Sequence, residues 1–216
     1  MKAASNRIPL LVKILYTAFV AVLVPYYWQA YGPTNFLYFC DTALLLTAVA
    51  VWLESPLLAS ACAIGILIPQ AVWVVDFLGG VLGAAPIGMT AYMFNPKLSL
   101  FTRGLSFFHF WLPFVLVWLV WKLGYDKRAL PFWTVLAWGL MLVGYFLLPA
   151  PPAPGGNPNI PVNVNYVFGL SDDKPQSWMP PLAWLAVMLT GLPALVYFPT
   201  HLLLKKLFHR TALEQA

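Results

Sequence analysis

From Leu57 to Leu78 the chain runs through a long apolar stretch with a single charged side chain, Asp76. A helix needs about 20 mostly apolar residues to cross the hydrocarbon core of a bilayer. Lipid cannot satisfy an open backbone, so such a run crosses as a helix, with its hydrogen bonds closed internally. Five further stretches have the same character, at about 8–28, 35–53, 104–121, 131–148 and 181–204. Only 9% of the chain is charged, against about 25% in soluble domains. The predicted fold class is therefore all-α: a polytopic transmembrane helix bundle of about six spans, in one domain over residues 1–216.

Connections and charge give the expected topology. Glu54-Ser-Pro56 is a tight link that makes the second and third spans an antiparallel hairpin. The stretch after the third span is broken by Gly79, Gly80, Gly83, Pro86 and Gly88, and reads as a re-entrant or interfacial segment. With the N-terminus inside, Lys2, Arg7, Lys13, Lys122, Lys127, Arg128, Lys205, Lys206 and Arg210 fall on the inner side. Lys97, Arg103 and Lys174 fall outside. That asymmetry predicts two cytoplasmic termini, since basic residues set orientation. The net charge of +5 is thus an orientation signal, and no nucleic-acid partner is expected. The basic, apolar N-terminus lacks a small-residue cleavage site and reads as a retained first helix. No CxxC or His/Cys cluster suggests a metal, and no cofactor is expected. Cys40 and Cys62 fall near opposite ends of their spans, so no disulfide is expected.

Charged groups inside a span are costly, about 2.5–3.5 kcal/mol at mid-helix on insertion scales. Cys40 and Asp41 sit about five residues into the second span. His109 sits about five residues into the fourth, which crosses in the same direction. At 1.5 Å per residue both lie roughly 8 Å deep. Asp76 and Gln70 approach that layer from the third span. Above it runs a connection, 149–180, rich in Pro and Gly, where Val162, Val164, Tyr166 and Phe168 alternate with Asn163 and Asn165. It reads as a lid folded back on the bundle, with Asn163, Asn165 and Tyr166 available to a substrate.

A thiol beside an imidazole can carry out nucleophilic acyl transfer, and a carboxylate such as Asp41 can orient the imidazole. Each residue also has a structural reading. A lone buried Cys is commonly packing, and His109 can be an interhelical hydrogen-bond donor. Gln70 follows Pro69 and can serve the carbonyl that the proline frees. His201 and His209 read as part of a basic inner anchor, and Asp172-Asp-Lys174 as a solvated turn.

Several of these segments resemble a known family. Phe36-Leu-Tyr-Phe-Cys-Asp-Thr-Ala-Leu44 is similar to the Leu-His-Leu-Cys-Asp segment of YwaF-like bacterial membrane proteins. Arg103-Gly-Leu-Ser-Phe-Phe-His-Phe-Trp-Leu112 resembles that family's histidine-bearing helix. Asn163-Val-Asn-Tyr-Val-Phe168 resembles its Asn-x-Asn-Tyr segment, and Pro175-Gln-Ser-Trp-Met-Pro-Pro181 the approach to its last helix. This chain has Tyr38 where the family has histidine. Animal relatives act as Cys/His acyltransferases on ether phospholipids. The resemblance therefore implies Cys40 as nucleophile, His109 as base, a membrane lipid as partner and a bacterial inner-membrane location. The expected function is a lipid-directed acyltransferase or hydrolase with catalytic Cys40, His109 and Asp41. Its substrate contacts would come from Asp76, Gln70, Asn163, Asn165 and Tyr166. The alternatives are a small-solute transporter and a non-catalytic scaffold or accessory subunit.

Overall fold

A computed structural model of the chain describes residues 8–157, 159–171 and 173–208. The readings placed on Lys2, Arg7, Asp172, His209 and Arg210 lie outside these residues. Eight helices follow in order: α1 (Leu10–Tyr31), α2 (Phe39–Leu53), α3 (Pro56–Val81), α4 (Leu100–Ser106), α5 (Phe108–Leu123), α6 (Ala129–Leu147), α7 (Pro181–Leu192) and α8 (Phe198–Phe208). No strand occurs among the described residues. Two pairs are continuous rods: α4 and α5 meet at Phe107, and α7 and α8 join through a π-helical turn, Pro193–Tyr197.

Five of the resulting rods are long and apolar enough to cross a membrane, and α2 is a shorter apolar helix. The boundaries follow local chemistry. Gly32, at φ 80°, ends α1. Pro33 then starts a 3-10 turn over Pro33–Leu37, so the second span begins helically at Phe39, later than the hydropathy run. Its 15 residues rise about 22 Å, and the preceding turn adds about 10 Å more. Ser55 caps α3 by accepting from Leu58 N at 3.3 Å, with Pro56 in the first helical position, where a missing N–H costs nothing. Pro193 has no N–H for the Leu189 carbonyl, and Trp138 Nε1 on α6 donates to that oxygen instead, at 2.7 Å.

The molecule is apolar outside and partly polar inside. Leu10, Leu11, Leu15, Val75, Phe146, Leu147 and Leu195 are exposed, whereas Asp41, Thr47, Ser60, Gln70 and Asp76 are buried. That distribution is the reverse of a soluble domain's and is what a lipid solvent selects. The bundle is thus of the integral, multi-pass membrane type. α3 is its axis and packs against α2, α5, α6 and α8. The run Ala59-Ser-Ala-Cys-Ala63 with Gly65 on α3 lets neighbouring backbones come close, as small residues do in membranes. Trp133 of α6 lies fully buried over Gly65.

The two ends differ. The lid end carries the 32–38, 82–99 and 148–180 connections. The hairpin end carries Glu54-Ser55, the 124–128 link, the start of α1 and the end of α8. Lys13 pairs with Glu54 there at 2.9 Å, and Tyr125 hydrogen-bonds His201 Nδ1 at 2.7 Å. Six described basic residues (Lys13, Lys122, Lys127, Arg128, Lys205, Lys206) fall toward the hairpin end and Lys97, Arg103 and Lys174 toward the lid end.

Candidate functional site at the lid end

The first turn of α2 carries Cys40 and Asp41. Cys40 is half-buried and its thiol donates to Asp41 Oδ2 at 3.6 Å. Asp41 is buried, and its other oxygen, Oδ1, has no hydrogen-bond partner among the described residues. Both cysteines are free thiols, and Cys62 is buried elsewhere on α3.

His109 owes its orientation to the break at Phe107. There Phe110 N bonds Phe107 O at 3.0 Å, a 3-10 bond that bypasses the Ser106 carbonyl. His109 Nδ1 takes the freed carbonyl at 2.7 Å. A carbonyl only accepts, so Nδ1 carries the proton and Nε2 keeps its lone pair. The ring stacks on Trp73 of α3 with centroids 5.3 Å apart. No hydrogen bond joins Cys40 to His109 among the described residues. Tyr92, from the 82–99 connection, lies between their surroundings. Its hydroxyl bonds Ser106 Oγ at 2.9 Å and accepts from Trp73 Nε1 at 3.2 Å. It also lies in electrostatic range of Cys40 and Asp41. Burial pushes this hydroxyl up to about 12, countered by the Ser106 and Trp73 hydrogen bonds, so Tyr92 stays neutral at physiological pH. Tyr27 of α1 also lies in electrostatic range of Asp41.

Gln70 lies one helical turn before Trp73 and is buried. Neither Nε2 nor Oε1 has a partner among the described residues, so it does not serve the carbonyl freed by Pro69. Asp76 is placed differently. Oδ1 accepts from Ile87 N (2.7 Å) and Gly88 N (2.9 Å), and Oδ2 accepts from Thr90 N and Thr90 Oγ1, both at 2.8 Å. These four bonds hold the 82–99 connection on the bundle and, with it, Tyr92.

The asparagines organise the 148–180 connection. Asn163, at φ 51°, accepts from Phe168 N at 2.8 Å and donates to Gly169 O and Ser171 O. Asn165, at φ 60°, reaches across to α2, accepting from Phe39 N and donating to Leu37 O, both at 2.9 Å. Left-handed backbone suits asparagine, and it winds this segment instead of letting faces alternate. Val162, Val164 and Val167 are therefore buried together with both asparagines, while Tyr166 is 40% exposed. The Tyr166 carbonyl accepts from Trp184 Nε1 at 2.9 Å.

A cavity of about 600 Å³ opens between the 3-10 turn and this connection, lined by Tyr31, Asn35, Tyr38, Tyr92, Val162 and Asp173 among others. Tyr92 belongs to both the cavity wall and the buried polar cluster. Tyr92 thus links the surroundings of Cys40 and Asp41 to Trp73 and Ser106, the two residues that hold His109, and Asp76, Asn163 and Asn165 anchor the connections around it. Tyr27, Trp73, Tyr92 and Ser106 are additions that hydropathy did not single out. No group of three or more His, Cys, Asp or Glu side chains gathers as a metal site among the described residues.

Asn165 supplies the first turn of α2 with partners that no nearby residue provides. Asn165→Ala is expected to cost about 1–2 kcal/mol and to speed amide exchange at residues 37–41. Unchanged exchange there would show that Asn165 is not the cap.

No protein-family model, curated protein or solved structure matches this chain.

Proposed function

We propose that this multi-pass membrane protein acts on the acyl esters of membrane lipids through Cys40 and His109. In this reading it resides in a bacterial inner membrane, with the lid end outward and the basic hairpin end in the cytoplasm. The observation that carries the reading is the fixed tautomer of His109. Its Nδ1 is held on the Ser106 carbonyl, which leaves Nε2 with its lone pair on a ring stacked against Trp73, the indole that bonds Tyr92.

In the proposed reaction the Cys40 thiol turns from Asp41 and gives its proton to His109 Nε2. The sulfur attacks the ester carbonyl carbon, the carbon–oxygen bond breaks, and the leaving alkoxide takes the proton from the imidazolium. A second hydroxyl, of water or another lipid, then attacks the thioester and restores the thiol. Proximity to a carboxylate disfavours the thiolate, so the rotation away from Asp41 is part of the chemistry. In the hairpin half the Thr47, Ser60 and Thr200 hydroxyls are used internally, which supports a one-sided site over a transport path, while the buried Trp133 Nε1 and Tyr197 hydroxyl there have no partner among the described residues. Thr47 donates to Ala43 O, Thr200 to Val196 O, and Ser60 accepts from Asp126 N.

The test uses purified protein and a phospholipid with labelled acyl chains. Cys40→Ala and His109→Ala are each expected to slow acyl release by at least about 10²-fold. Turnover by either variant at the unmodified rate would sink the mechanism.

A further inference from the structure

Two buried polar side chains on the packed helices α2 and α3 have unused hydrogen-bonding capacity. Asp41 is 4% exposed and Gln70 2%. Asp41 Oδ1 and both side-chain heteroatoms of Gln70 have no partner among the described residues. The hairpin sets them level. Asp41 lies twelve residues before the end of α2 at Leu53, and Ile68 lies twelve residues after the start of α3 at Pro56. Equal rise in two packed antiparallel helices puts Gln70 about 3 Å from the depth of Asp41. Trp73, one turn further on α3, touches Tyr92, whose hydroxyl is in range of Asp41.

We propose that Asp41 and Gln70 form a binding subsite for a protonated primary amine, reached from the lid-end cavity past Tyr92. Charge is the first argument. Asp41 makes no ion pair among the described residues, and a buried carboxyl stays ionised only beside a partner that offsets its desolvation, a place an ammonium group can take. Hydrogen-bond type is the second. The carboxylate oxygen and Gln70 Oε1 both accept, and an ammonium group offers three donors. Tyr27 and Tyr92, both in electrostatic range of Asp41, add aromatic rings, which attract organic cations. Two side-chain oxygens are too few for a calcium-like cation, which takes six to eight. An anionic group would be repelled by Asp41. The proposal goes beyond acyl transfer and does not depend on it.

The experiment uses the full chain in phosphatidylcholine nanodiscs, with tryptophan fluorescence as readout because Trp73 adjoins the site. Dodecylamine is titrated against dodecyltrimethylammonium and dodecanol. Dodecylamine is expected to give a saturable change, with affinity at least about tenfold above both controls. Asp41→Asn and Gln70→Leu should each weaken it by about tenfold. Cys40→Ala should retain amine binding even with no acyl turnover, which separates this subsite from the catalytic reading. Competition by free ethylamine would show that soluble amines are accepted; saturable dodecylamine binding without it would show an amine borne on an amphiphile. Equal binding of dodecanol, or undiminished affinity in Asp41→Asn, would overturn the proposal. Gln70→Leu removes an unpartnered buried amide, so it folds and decides the question if Asp41→Asn does not.

Discussion

Gly65→Ala is expected to destabilise the bundle by about 3 kcal/mol, the upper end of overpacking costs. A methyl at this position would lie 1.8 Å from Trp133 Cε2 and 2.2 Å from Trp133 Nε1. The indole is fully buried, so it cannot swing outward, and the change must separate α3 from α6. Since α3 is the axis of the bundle, that separation disturbs its other neighbours too. Gly139→Ala on α6 is the control, because its added methyl meets nothing within 4 Å. Thermal unfolding in detergent should show a large loss for the first variant and little change for the second. Trp133→Leu should be less harmful combined with Gly65→Ala than on its own. If Gly65→Ala unfolds at the unmodified temperature, the packing of α3 on α6 is not as tight as described.

Asp76→Ala is expected to release the 82–99 connection. The carboxylate accepts three backbone N–H groups and one hydroxyl, and hydrogen bonds to charged groups are the stronger kind. The Ile87 and Gly88 amides lie in an exposed stretch and regain water. Thr90 is fully buried and loses partners for both its N–H and its hydroxyl. The net cost is about 2–4 kcal/mol, concentrated in the loop instead of the helices. Hydrogen exchange at residues 84–94 should rise strongly while α5 and α6 stay protected. Asp76→Asn should be nearly as damaging, because the amide NH2 faces donors where an acceptor is required. Unchanged protection of the loop in either variant would refute the anchor.

The spans were legible because hydropathy over 20 residues integrates a large free energy and tolerates local errors. The start of α2 was less so. Apolarity runs on through Phe36 and Leu37, but Pro33 and the 3-10 turn decide where regular helix begins. At the site, Asp41 stood out because a carboxylate in a span demands an explanation. The role of Asp76 was hidden, since its partners are mainly backbone amides, which no residue type announces. Asn165 caps a helix more than a hundred positions earlier in the chain, a contact set by tertiary packing and not by spacing. The alternation of Val162, Val164, Tyr166 and Phe168 pointed to an extended face, yet three left-handed residues wound the segment differently. An Asn-x-Asn pair was the available signal for that turn. Tyr92 was masked by its glycine- and proline-interrupted surroundings, and only the fold brings its hydroxyl to Ser106 and Trp73.

The hydrogen bonds that Asp76 accepts come mostly from main-chain atoms. Sequence drift in that loop should therefore be uneven. Related chains that share this architecture can exchange Ile87 or Met89 freely and still close the same turn, while the acid itself and the threonine at 90 stay put. Variation across such a set would trace the outline of the anchor as fixed columns at the acid, the threonine and the left-handed Gly83 and Gly88, with tolerant positions between them.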